Sequence, residues 1–168
     1  AHPRRLSGTP PLHGTLWGLV YRDNRLYISD ENFIRIWDVS DPEEPAKLAR
    51  FGVGALGLAL DGDYLYAVFI WLFVFDISDP RNPFEVARCT TPEWADDVFV
   101  ADGLAYVADA HYGLRIVDVS DPTAPAVIGS CELDGYPFKV AVANGYAYVT
   151  CLLYTSDAAD EEDSVDLG

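Results

Sequence analysis

Leu114-Arg115-Ile116-Val117-Asp118-Val119-Ser120-Asp121-Pro122 is one of three versions of a single phrase. The others are Ile34-Arg35-Ile36-Trp37-Asp38-Val39-Ser40-Asp41-Pro42 and Leu72-Phe73-Val74-Phe75-Asp76-Ile77-Ser78-Asp79-Pro80. Their central residues, Asp38, Asp76 and Asp118, are spaced 38 and 42 residues apart. A second anchor keeps the same register. Tyr27, Tyr66, Tyr106 and Tyr148 each follow a turn dipeptide: Asp23-Asn24, Gly62-Asp63, Asp102-Gly103 and Asn144-Gly145. Such pairs tolerate positive φ and close two-residue hairpins whose twist matches the strands.

Each repeat therefore parses into four short strands. The first holds Leu58-Ala59-Leu60, Val98-Phe99-Val100 or Val140-Ala141-Val142. The second follows the hairpin, as in Leu104-Ala105-Tyr106-Val107-Ala108. The third is the recurring phrase. Asp-Pro-x-x-Pro then turns the chain, because proline fixes φ and cannot donate to a central ladder. A fourth strand follows, such as Ala126-Val127-Ile128-Gly129-Ser130. Many of these strands are apolar on both faces, so both faces must be covered. No ten-residue stretch carries a helical period, so sheets must cover sheets. Four strands per repeat of about forty residues, stacked face to face, is a β-propeller blade. A β-sandwich is the runner-up, but it does not require such self-similarity. The expected fold is all-β: a partial β-propeller of about three and a half four-stranded blades. The expected repeats run over about 14–54, 55–94, 95–136 and a truncated 137–150.

The run from Gly113 to Pro122, followed by Asn144-Gly145-Tyr146-Ala147-Tyr148-Val149, resembles the LVIVD repeat. The resemblance spans roughly residues 14–150 and is fullest in the third repeat. The second departs most, with a shorter loop and Val68-Phe69-Ile70-Trp71 where the third has Ala108-Asp109. Ile36-Trp37-Asp38 alone is similar to a WD40 ending, but Phe75 and Val117 replace Trp37 in the other repeats. LVIVD repeats occur in bacterial and archaeal surface or secreted proteins and are taken to form propellers. The resemblance alone thus implies an extracytoplasmic location.

The chain has 168 residues, of which half are apolar, with 27 acids against 11 bases. A formal charge of −16 disfavours unaided nucleic-acid binding and anionic membrane surfaces. The longest apolar run, Leu65 to Phe75, is about half of what a helix needs to cross a bilayer. No signal peptide is visible, and the chain opens Ala1-His2-Pro3 without Met. Residues 1–13 are expected to be an N-terminal remnant. Residues 151–168 break the repeat and resemble translated sequencing adapter of the transposase-library kind, which points to a metagenomic fragment with a disordered foreign tail. Cys151 to Ser156 and Ser164 to Gly168 carry the two constant segments in one frame. A native acidic tail is the alternative. Without that tail the charge is −10 and the cysteines are two.

Asp38, Asp41, Asp76, Asp79, Asp118 and Asp121 recur in every full repeat. Paired carboxylates can hold Ca²⁺ or do acid/base work. Recurrence favours structural turns, with the side chains bonding nearby backbone N–H groups. Asp96-Asp97 differs. Its repeat equivalents are Trp17-Gly18, Leu56-Gly57 and Phe138-Lys139. The start of a first strand lines the central channel of a propeller, so Trp17, Asp96, Asp97 and Phe138 are the candidate channel-mouth contacts. A cation or polar ligand could sit there, or only water. Cys89 and Cys131 match Phe51 in register and read as small apolar fillers. His13 and His111 have no ligand-spaced partner, and the three Pro-x-x-Pro segments read as turns. Phe69-Ile70-Trp71 is either a contact patch or core between blades, with core favoured.

No catalytic residue, metal ligand or cofactor is assigned. The favoured reading is a non-catalytic binding or interaction scaffold of a secreted or cell-surface protein, with a protein or a surface polysaccharide as partner. Two alternatives stand: a propeller hydrolase or lyase with a channel-mouth site, and a structural adhesion or surface-layer repeat.

Overall fold

The computed structural model describes residues 15–91 and 94–152. Three four-stranded antiparallel meanders and one hairpin follow one another along the chain. Blade 1 holds β1 (Leu16–Arg22), β2 (Arg25–Asp30), β3 (Ile34–Asp38) and β4 (Ala46–Phe51). Blade 2 holds β5 (Gly57–Asp61), β6 (Tyr64–Val68), β7 (Trp71–Asp76) and β8 (Phe84–Thr90). Blade 3 holds β9 (Ala95–Ala101), β10 (Leu104–Asp109), β11 (Gly113–Asp118) and β12 (Ala126–Cys131). The hairpin pairs β13 (Tyr136–Ala143) with β14 (Tyr146–Leu152). The strands fall where the repeat put them. The expected N-terminal remnant, with His13, lies outside the described residues. So does the adapter reading, apart from Cys151 and Leu152, which continue β14.

Local chemistry explains the corners. Asp23, Asn24, Asp102, Gly103, Asn144 and Gly145 all have positive φ, as two-residue turns between twisted strands require. Each third strand also carries an irregularity against the fourth at one repeat position: Ile36/Trp37, Val74/Phe75 and Ile116/Val117. A bulge there increases local twist, and all three blades use it alike.

The core lies between blades. Tyr27, Ile34, Ile36 and Ala49 of blade 1 pack against Leu58, Leu65, Ala67, Phe73 and Phe75 of blade 2. Tyr66, Val68, Leu72 and Val74 on the other face of blade 2 pack against Val98, Ala105, Val107 and Val117 of blade 3. Ala108 and Leu114 of blade 3 pack against Val140 of the hairpin. Alternate residues of β6 and β7 thus serve opposite neighbours, since successive side chains point to opposite faces. That is why the run Leu65 to Phe75 is apolar throughout: blade 2 has no wet face. No helix among the described residues is long and apolar enough to cross a membrane.

The first strands β1, β5, β9 and β13 lie side by side and form the innermost layer. They approach closely. A Cβ on Gly57 would lie 2.7 Å from the Asp97 Cα and 3.0 Å from the Asp96 carbonyl oxygen. Nearby, the buried Ser29 hydroxyl accepts from Gly18 N–H (3.0 Å) and donates to Ala55 C=O (2.7 Å), which ties β1 to the lead-in of β5.

Candidate functional site

Strand direction sorts the side chains to two ends of the blade stack. One end holds the hairpin turns and the Asp-Pro turns. The other holds the starts of β1, β5, β9 and β13, the loops between second and third strands, and the links between blades.

The Asp-Pro end is closed by its own hydrogen bonds. Asp38, Asp76 and Asp118 each accept the backbone N–H two residues on, from Ser40 (2.9 Å), Ser78 (2.8 Å) and Ser120 (2.9 Å). Asp41, Asp79 and Asp121 do the same for Glu43 (2.9 Å), Arg81 (3.0 Å) and Thr123 (2.9 Å). These are Asx turns, in which the carboxylate mimics a backbone acceptor. Bonds from Ser40 hold Asp38 below the ordinary carboxylate range, and bonds from Ser120 do so for Asp118. Asn82 and Arg81 N–H lower Asp79, and Thr123 lowers Asp121.

The opposite end is aromatic. Trp17 is the second residue of β1, Phe69 lies in the β6–β7 loop and Trp94 leads into β9. The rings form a row, with centroids 6.3 Å apart from Trp17 to Phe69 and 6.0 Å apart from Phe69 to Trp94. Their planes are tilted by only 36° and 25°. Trp94 is 60% exposed, and Ile70, Tyr112 and Phe138 at the same end are exposed as well. The row is pinned from below, because Ala95 N–H donates to Phe69 C=O at 2.6 Å. Beside Phe69 a cleft of about 320 Å³ opens between blades 1 and 2, lined by Glu31, Asn32, Val53 and Ile70 among others.

The Phe69 loop therefore divides. Trp71 joins the core shared with blade 1, Phe69 is half-buried, and Ile70 is exposed. The loop thus takes both of its expected roles, core at Trp71 and exposed surface at Ile70. Phe69 and Trp71 lie opposite each other across the turn, with Phe69 N–H donating to Trp71 C=O at 3.2 Å, and Ile70 at the tip is left facing out.

Blades 1 and 3 solve the same corner with charge. Asp30 bonds the Arg35 guanidinium, and Asp109 Oδ2 accepts from Arg115 Nε at 2.5 Å. Both aspartates are buried. Burial pushes the Asp30 carboxyl up, but Asn32 N–H, Arg35 and Phe33 N–H together outweigh it and hold it low. Blade 2 replaces both partners at once, with Phe69 and Phe73 at the equivalent positions.

Of the channel-mouth candidates, Asp96 and Asp97 go separate ways. Asp97 is engaged by the hairpin, through Lys139 Nζ on Oδ1 (3.2 Å) and Val140 N–H on Oδ2 (3.1 Å). Lys139 Nζ also lies 5.8 Å from the Phe138 ring centroid. Asp96 is half-buried, and its Oδ2 has no hydrogen-bond partner. Burial pushes its carboxyl up, opposed by the Tyr136 hydroxyl and Lys139 and helped by Asp97. Trp17 belongs to the aromatic row, whereas Phe138 lies beside Lys139. Among the described residues no three His, Cys, Asp or Glu side chains are grouped to hold a metal ion. Cys89, Cys131 and Cys151 are free thiols.

Trp94 is the functional candidate that sequence reasoning missed, whereas Phe69 belonged to a loop read as either a contact patch or core. The signal was in the repeat. Counting back from the first strand aligns Trp94 with Gly54 and Tyr136. All three meet the second-to-third-strand loop of the preceding blade. A Cβ on Gly54 would lie 2.2 Å from the Glu31 carbonyl oxygen, Trp94 stacks on Phe69, and Tyr136 meets His111 edge-on at 5.9 Å.

The LVIVD repeat matches residues 54–91 and 94–132. No curated protein matches the chain. Among solved structures, the computationally designed Ika4 protein aligns with a TM-score of 0.68 at 10% identity, over 90% of this chain and 99% of that one. The computationally designed Ika8 protein aligns at 0.67 and 9% identity, over 87% of this chain and 46% of that one. Glutaminyl cyclase from Myxococcus xanthus aligns at 0.59 and 20% identity, over 81% of this chain and 61% of that one. The chain thus spans less than half of Ika8 and under two thirds of the cyclase. At such identities the likeness is one of fold. With stacked four-stranded meanders, repeat-equivalent turns and these matches in hand, residues 54–91 and 94–132 are LVIVD repeats, and the described residues form a run of β-propeller blades.

Proposed function

We propose that this chain is a non-catalytic binding scaffold of a secreted or cell-surface protein, and that its partner docks on the aromatic end of the blades. The observation that carries this reading is the row Trp17–Phe69–Trp94. Three blade elements contribute one ring each, with Trp17 tilted by 36° to Phe69 and Phe69 stacked at 25° on Trp94, and Trp94 is largely exposed. Exposed aromatic surface on a rigid frame is characteristic of interaction sites. The exposed Trp94 indole suits a flat partner with apolar faces, which a surface polysaccharide supplies. Glu31 and Asn32 beside Phe69 offer acceptors and donors for its hydroxyls. The extracytoplasmic setting is supported by the company that LVIVD repeats keep.

Affinity electrophoresis in gels containing neutral and acidic polysaccharides tests the reading. One or more polysaccharides should retard the wild type, and Trp94→Ala should migrate as in an empty gel. A protein partner would show instead as no retardation anywhere, with capture of a surface protein that Trp94→Ala abolishes. Binding of either kind that survives both Trp17→Ala and Trp94→Ala would overturn the aromatic end as the site.

A further inference from the structure

The cleft beside Phe69 joins two unlike loops. Blade 2 and its lead-in give it apolar lining, from Val53, Phe69, Ile70 and Phe73. Blade 1 gives it Glu31 and Asn32, from the loop between β2 and β3. That loop is held in place by its own backbone. Asp30 Oδ1 accepts Asn32 N–H at 2.8 Å and Phe33 N–H at 2.9 Å, and Gly54 packs against the Glu31 carbonyl. The charge of Glu31 is not balanced within the chain. Arg35 is taken up by the buried Asp30. Arg88 lies 5.5 Å from the Phe73 ring centroid but pairs with Glu85 at 2.7 Å. Arg50 lies over Phe33 on the other face of blade 1, because its neighbour Phe51 packs on Phe75 of blade 2. Among the described residues the exposed Glu31 carboxylate has no ion-pair partner.

A free carboxylate beside aromatic rings, with an amide next to it, suits an ammonium group carried on a partly apolar ring. The carboxylate accepts from the ammonium, an aromatic face attracts the same charge, and the amide serves neighbouring hydroxyls. We propose that this cleft binds the protonated amine of an amino sugar, so that the polysaccharide on the aromatic row is a cationic one with unacetylated amines. The inference rests on the aromatic end being a polysaccharide site, and adds which sugar that site selects. Phe69 belongs both to the cleft and to the row, so a glycan lying along the rings places a unit at Glu31. The cleft, at about 320 Å³, is at the small end of ligand pockets and suits one unit of the glycan. The charge of the whole chain has the matching sign. At −16, or −10 without the tail, it draws a polycation and repels an acidic glycan.

Calorimetric titration of the full chain tests this, with a glucosamine hexamer and with the same hexamer fully N-acetylated, at a mildly acidic pH where the free amines are charged. The wild type should bind the glucosamine hexamer about tenfold more tightly, the size of one charge-assisted hydrogen bond. Glu31→Gln should remove that preference and leave the N-acetylated hexamer bound as before. Glu44→Gln removes the same charge from an exposed site at the Asp-Pro end, and should keep the preference. Equal affinity of the wild type for the two hexamers would overturn the proposal. So would a preference that survives Glu31→Gln, or one that Glu44→Gln reduces as far, since attraction would then be diffuse. In each of these cases loss of binding in Trp94→Ala would still leave the aromatic end as the site, so the two readings fail separately. A wild type that ignores the glucosamine hexamer but binds a lysine hexapeptide through Glu31 would overturn the amino sugar and put a basic protein segment in its place.

Discussion

The Asp96 carboxyl is half-buried at the inner end of β9, with the Tyr136 hydroxyl, Lys139 and Asp97 around it. Burial is the largest influence and raises its pKa above the ordinary 3.8. The folded state therefore prefers the protonated acid. Ionised Asp96 costs stability above its folded pKa, and the cost is gone below 3.8. Asp96→Asn keeps an acceptor for Tyr136 and removes the charge. Its Tm at pH 7 should rise, by about 2 °C or less because the site is partly wet. The gain should vanish as pH falls below 3.8 in a melting series. A Tm that falls at pH 7 would show that Asp96 is held by partners stronger than Tyr136 and Lys139. The turn aspartates behave oppositely. Asp38, Asp79, Asp118 and Asp121 have lowered pKa values, so what they contribute is present above 3.8 and lost as pH falls further.

At the scale of the strand, the repeat made most of the structure legible and its exceptions made the site. Hairpin dipeptides, Asp-Pro turns and two-sided apolar strands each have a local cause, so the blades could be read from them directly. The Trp17–Phe69–Trp94 row could not, because its members come from three separate segments and meet only when blades stack. Nor could the Asp97–Lys139 contact, which joins β9 to β13. The buried Asp30–Arg35 and Asp109–Arg115 pairs were also hidden, although blade 2 marks them by replacing both partners together. That joint replacement has an energetic reason. Removing one member of a buried pair strands the other, at about 3–5 kcal/mol, whereas replacing both with apolar groups is often close to neutral. Asp109→Leu and Arg115→Leu should each cost about that much in urea unfolding. The double variant should cost less than either single change. Additive losses would mean that the two residues are supported independently.

On the scale of the whole chain, each blade touches only its neighbours, so stability is close to a sum of blade and interface contributions. The contributions are unequal. Blade 2 is covered on both faces and holds Leu65, Val68, Leu72 and Val74 at 0% exposure. Among the described residues the hairpin is covered on one face only, and β14 has β13 as its single sheet partner. Its backbone edge and its Tyr146 and Tyr148 side chains face water. Opening the hairpin loses one interface, whereas opening blade 2 loses two. Native-state hydrogen exchange should therefore be graded along the chain. Amides of β6 and β7 should exchange only with global unfolding, and those of β14 should exchange at least about a hundredfold faster through local opening. Blade 1 and blade 3 should fall between them. Uniform protection across all strands would mean that the blades unfold as one unit.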